Sequence, residues 1–164
     1  QYYYRLTTKF SGSRVCLDVI NGGARNNTTD LVTCGNYTGQ LWRFISADRG
    51  FFRLTTMFLG AQMCLDVYND GSRKNQVYLT RCADHSGQLW RLQPHHKWHR
   101  LTNSFLGPQN CLTTDGFAIV GSPHLMPCTN SLRQLWLLQR TSITVLRDTQ
   151  RVERLFPWDV RSEI

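Results

Sequence analysis

Long apolar runs are missing from this sequence: none approaches the roughly 18 residues a membrane-spanning helix needs, so no membrane insertion is expected. The first residues hold no basic segment followed by an apolar one, and no signal peptide is expected in this numbering. Close Cys-x-x-Cys spacing is absent, which disfavours zinc. Nucleophile-elbow, phosphate-loop and zinc-protease signatures are absent too, so neither catalytic residues nor a cofactor is expected. Lysine is scarce, at 3 against 16 arginines, and the 11 acids leave a net charge of +8. Arginine forks match phosphate, sulfate and carboxylate, so this balance points to an anionic partner. The basic residues form no run, however, and nucleic acid is not the expected partner. Hydrophobic content of 41% and charged content of 18% suit a folded chain, long enough for one sizeable domain.

Repetition is what the sequence has most of. Arg-Leu-Thr recurs at Arg5, Arg53 and Arg100, followed by Phe-x-Gly at Phe10, Phe58 and Phe105. Cys16-Leu-Asp-Val, Cys64-Leu-Asp-Val and Cys111-Leu-Thr-Thr come next. A second cysteine follows 18, 18 and 17 positions later, and Leu31, Leu79 or Leu125 stands three places before it. Each unit closes on Gln-Leu-Trp: Gln40–Trp42, Gln88–Trp90 and Gln134–Trp136. The connectivity that respects the repeat is Cys16–Cys34, Cys64–Cys82 and Cys111–Cys128. Each bridge would stabilise by roughly 3 kcal/mol and point to an oxidising, extracellular compartment.

Within a unit, Arg5–Thr8, Val15–Val19, Asp30–Thr33 and Leu41–Phe44 read as short strands between Gly, Asn and Ser turns. Three such units are too few for a propeller, which takes about four blades or more, but suit a pseudo-threefold β-trefoil. The expected fold is all-β: a trefoil over residues 1–140 (repeats about 1–48, 49–96 and 97–140) with a C-terminal extension at 141–164. Leu146, Thr149, Val152 and Phe156 recur there at helical spacing, with Asp148 as N-cap and Pro157 as stop. Leu155, Phe156 and Trp158 make that tail a candidate dock for a protein partner.

Paired cysteines and three in-phase Gln-x-Trp motifs resemble the ricin B-type (R-type) lectin family over about residues 2–140. The resemblance implies a β-trefoil and, most often, binding of galactose-type or other glycans. It also implies that Gln-x-Trp is architectural. Buried Trp42, Trp90 and Trp136 would form a core layer, with Gln40, Gln88 and Gln134 satisfying buried backbone groups.

The family's sugar-binding Asp stands two residues after the first cysteine, here Asp18 and Asp66, with Thr113 in the third unit and Asp115 its nearest acid. Its usual aromatic position holds Val32, Thr80 and Met126, and its usual Asn position holds Gly39, Gly87 and Arg133. Substitutes lie nearby: Tyr37 and His85 for rings, Tyr68 and Tyr78 flanking Asp66, and Asn21, Asn27, Asn69 and Asn75 for amides. In each case ordinary turn chemistry is the competing account. Asn26, Asn27 and Asn36 head glycosylation sequons in form. The His95, His96 and His99 group has the residue type of a metal site, but His99 takes the strand-starting place of Tyr4 and Phe52, so a unit junction and no metal site is expected.

The sequence thus leads to a secreted lectin-like module without catalytic activity, for galactose-type or acidic glycans. The alternatives are a protein-interaction scaffold, a cell-binding subunit of a toxin or multisubunit complex, and the binding module of a larger glycoside hydrolase.

Overall fold

A computed structural model describes residues 1–114 and 122–145. The helix expected after Leu146, the docking residues Leu155, Phe156 and Trp158, and Asp115 lie outside that range. The described residues form twelve strands: β1 (Tyr2–Thr8), β2 (Val15–Val19), β3 (Thr29–Thr33), β4 (Trp42–Ser46), β5 (Phe52–Thr56), β6 (Met63–Val67), β7 (Val77–Arg81), β8 (Trp90–His95), β9 (Trp98–Asn103), β10 (Gly107–Thr113), β11 (His124–Pro127) and β12 (Trp136–Thr144). The fourth strand of the first unit starts at Trp42 rather than Leu41, because the Leu41 N–H closes a 3-10 turn, Thr38–Gln40, onto the Thr38 carbonyl. The last strand continues through Thr144, which pairs with Tyr2.

β1, β4, β5, β8, β9 and β12 pair in that order, and β12 returns to β1, closing a six-stranded barrel. Between units the ladders are long, as in Trp42↔Thr56 to Ser46↔Phe52 and Trp90↔Asn103 to His95↔Trp98. Within each unit one pair joins the first and fourth strands: Tyr4↔Trp42, Phe52↔Trp90 and His99↔Trp136. The hairpins β2–β3, β6–β7 and β10–β11 cap the barrel, giving the all-β trefoil. Asn27 and Asn75 link these caps through their backbones. Each has positive φ (65° and 71°), and its carbonyl accepts the N–H of Leu79 or Leu125 in the next unit at 2.7 and 2.8 Å.

Each repeated word fills one tier of the core. Leu6, Leu54 and Leu101 come from Arg-Leu-Thr, Leu17, Leu65 and Leu112 follow the first cysteines, and Leu31, Leu79 and Leu125 precede the second. Trp42, Trp90 and Trp136 are fully buried, and each indole N–H donates to the Leu17, Leu65 or Leu112 carbonyl at 2.9 Å. The three disulfides are Cys16–Cys34, Cys64–Cys82 and Cys111–Cys128. The glycines of Phe-x-Gly, Gly12, Gly60 and Gly107, all take positive φ, which a side chain would resist.

The arginines of Arg-Leu-Thr are also structural. Arg5, Arg53 and Arg100 each donate to the carbonyl just past the second cysteine of their unit, at Gly35, Ala83 and Thr129 (3.4, 3.4 and 3.3 Å). Part of the positive charge is therefore spent inside the fold.

Candidate functional site

The glutamines of Gln-Leu-Trp sit at the end of a 3-10 turn and bind in three directions. Gln40 accepts the Gly35 N–H at 2.9 Å through Oε1, and its Nε2 donates to the Thr33 carbonyl (3.1 Å) and to Asp18 Oδ2 (2.8 Å). Gln88 repeats this with Ala83, Arg81 and Asp66 Oδ2 at 2.8, 3.1 and 3.1 Å. Gln134 does so with Thr129, Pro127 and the Thr113 hydroxyl at 2.8, 3.0 and 3.0 Å. Thr113 thus keeps the architectural half of the aspartate's role and supplies no carboxylate.

The two aspartates differ in what lies above them. Asp18 is fully buried, and its second oxygen accepts the Val19 N–H at 2.7 Å. Burial pushes its pKa up from 3.8 to about 6, against the opposing hydrogen bonds from Gln40 and Val19. Asp66 makes the matching 2.7 Å bond with the Val67 N–H, but its side chain keeps 9% exposure and opens onto a cleft of about 610 Å³.

Aromatic rings flank that cleft. Tyr68 and Tyr78 stack with centroids 3.9 Å apart and planes 11° from parallel. They face each other across β6–β7, because Tyr78 is the partner of Asp66 in the ladder and Tyr68 follows Val67. Burial, then Asp66 and Tyr68, raise the Tyr78 pKa above 10, so its hydroxyl stays a donor. His85 contributes an exposed imidazole with Nδ1 3.9 Å from Asp66 Oδ2. Asn69, Asp70, Asp84 and Ser86 complete the polar lining. Phe105, half exposed, enters from the turn after β9 in the third repeat.

Asp66, Asn69, Tyr78 and His85 are therefore brought together, whereas Asn75 does not line the cleft. In the first unit, the positions of Tyr68 and Tyr78 hold Ile20 and Asp30, and Asp30 pairs with Arg25 at 3.3 Å. Tyr37 lies on Gly35, where a Cβ would come within 2.6 Å of Tyr37 Cε2. Asn21 and Asn27 belong to that unit's loop and do not line the cleft. In the third unit, the Arg133 guanidinium lies 4.5 Å over the Phe10 ring, the counterpart of Phe105. Phe105 and Asp84 escaped the sequence reading; the Phe-x-Gly register is the signal that would have found Phe105.

Among the histidines, His95 Nδ1 faces the Arg100 guanidinium at 3.2 Å, so a cation already occupies the approach to that nitrogen. His99 starts β9 opposite Trp136.

Threefold glutamine clamps under a buried tryptophan layer agree with the comparison to known families, where the ricin-type β-trefoil lectin domain matches residues 2–136. The chain belongs to the ricin-type β-trefoil lectin family. As such it is a carbohydrate-binding module by class. No curated protein matches the sequence. Among solved structures, the designed threefold-symmetric protein ThreeFoil is similar at TM-score 0.71 and 21% identity, covering 84% of this chain and 97% of its own. A mosquitocidal holotoxin is similar at TM-score 0.73 and 12% identity over 87% of this chain, which spans only 18% of the toxin chain. A chain of the Haemophilus ducreyi cytolethal distending toxin is similar at TM-score 0.65 and 17% identity, covering 89% of each. These likenesses concern the fold.

Proposed function

We propose that the chain is a secreted, non-catalytic lectin module whose second repeat binds a neutral, galactose-type sugar. The observation that carries this reading is the cleft in which the Asp66 carboxylate, the Tyr68–Tyr78 stack, His85 and Phe105 converge. A hexose asks for acceptors that fix adjacent hydroxyls and an aromatic surface for its C–H face. Asp66 supplies the acceptor, and the tyrosines and Phe105 supply the rings. Of the two glycan classes suggested by the sequence, the neutral one suits this cleft, because Asp66, Asp70 and Asp84 would oppose an anion. Three disulfides support an extracellular setting.

The test is calorimetric titration with galactose and N-acetylgalactosamine. Asp66→Ala and Tyr78→Ala are expected to weaken binding at least ~10-fold, about 1.4 kcal/mol, with the urea midpoint of Tyr78→Ala nearly unchanged. Undiminished affinity in both variants would remove the proposal.

A second reading, a cell-binding subunit within a toxin or other complex, has one specific support. The chain matches a cytolethal distending toxin chain along 89% of each, so whole subunits of this size exist. A glycan array without a hit, together with a tightly bound protein partner, would favour it.

A further inference from the structure

With Arg5, Arg53 and Arg100 spent on the fold, the remaining cations are unevenly placed. Two of the three lysines in the chain meet on one ring: Lys9 Nζ lies 4.1 Å and Lys97 Nζ 4.7 Å from the Trp98 ring centroid. They arrive from distant parts of the sequence, because Lys9 follows β1 and Lys97 lies in the turn between β8 and β9. Both are exposed, while Trp98 is half-buried. The turn also carries the exposed His96, and His95 touches the Arg100 guanidinium at 3.2 Å. Among the described residues, neither lysine has a carboxylate at ion-pair distance; the carboxylates of Asp30, Asp84 and Asp66 pair with Arg25, Arg53 and His85. The local field is positive enough to be felt. His95 is held below its usual 6.5 by desolvation and then by Arg100, His96 and Lys9.

We propose that this seam, Lys9–Trp98–Lys97, is a second binding surface that takes a sulfated polysaccharide. Attraction of each ammonium to the indole face restrains side chains that would otherwise sample many rotamers, so less ordering remains to be done on binding. Compact ammonium charges serve sulfate groups, and a repeating polyanion engages several at once. A bilayer is the less suitable partner. The Trp98 ring lies under ammonium groups instead of projecting as an apolar wedge. The surface is separate from the Asp66 cleft, and none of its residues lines that cleft.

The test uses the whole chain and heparin as the probe. The unaltered protein is expected to bind immobilised heparin at about 0.15 M salt, with affinity falling steeply as salt rises. Lys9→Ala/Lys97→Ala should lower that affinity at least tenfold and reduce the slope of log Kd against log salt by about 2. Arg14→Ala/Lys74→Ala removes the same charge elsewhere and should change affinity less than threefold. Asp66→Ala should leave heparin binding intact, which keeps the seam distinguishable from the sugar cleft. Three results overturn the proposal: no retention of the unaltered protein, equal loss in the two double variants, or binding to phosphatidylserine vesicles without binding to heparin.

Discussion

Asp18 and Asp66 hold the same place in two repeats and make the same backbone bond, yet one is sealed and the other faces a cleft. The sealed carboxylate should show itself in acid. Its native pKa of about 6 lies above the unfolded value of 3.8, so between these values the native state holds a proton that the unfolded chain has released. Its contribution to stability is thus fully present below pH 3.8 and lost as pH rises through 6. Against Asp18→Asn, which does not titrate, the unaltered protein should gain on the order of 2 kcal/mol in urea unfolding between pH 7.5 and pH 4. Parallel pH profiles for the two would refute this. At Gly87, a Cβ would collide with Asp66 Oδ1 and come within 3.3 Å of Val67 Cγ1. Gly87→Asn restores the residue type usual in the family but displaces the carboxylate. A loss of about 1–3 kcal/mol in stability is expected, with weaker sugar binding alongside. A tighter-binding variant with unchanged stability would contradict that account.

At the scale of elements, the 3-10 turns and cap hairpins are interchangeable in architecture and unequal in chemistry. Trp42, Trp90 and Trp136 share one burial and one hydrogen bond each, so replacing any of them by Ala should cost about 3–5 kcal/mol, and similarly in all three. Urea midpoints that differ widely among the three variants would show that the core is not shared equally. This layer was legible in the sequence, because glutamine, tryptophan, leucine and cysteine recur in phase and packing demands the same residue at each threefold-related place. Strand limits were less legible. Leu41 has the composition of a strand residue but closes a turn. The overall arginine excess points to an anionic partner, but composition does not reveal which arginines the fold uses, such as Arg53, which reaches the Ala83 carbonyl 30 residues away. The cleft was half legible. Asp66, Tyr78 and His85 belong to one repeat, whereas Phe105 comes from the next, and a repeat-by-repeat reading keeps them apart.

Across the whole molecule, a nearly threefold frame carries chemistry that is not threefold. Asp18 is covered, Thr113 has no carboxylate and Arg133 lies over Phe10, so among the described residues the second repeat alone combines an aspartate that lines a cleft with a stacked pair of tyrosines. The consequence is one of valency. A trefoil with three equivalent sites could cross-link cell surfaces by itself, whereas this one should bind one galactose-type glycan per chain, in the Asp66 cleft. Calorimetric stoichiometry close to one, and failure of the isolated monomer to agglutinate red cells, are the expected outcomes; a stoichiometry of two or three would sink the idea. Strong attachment to a cell would then have to come from avidity, with copies or fused partners holding several such single-handed modules at an effective concentration their linkers set.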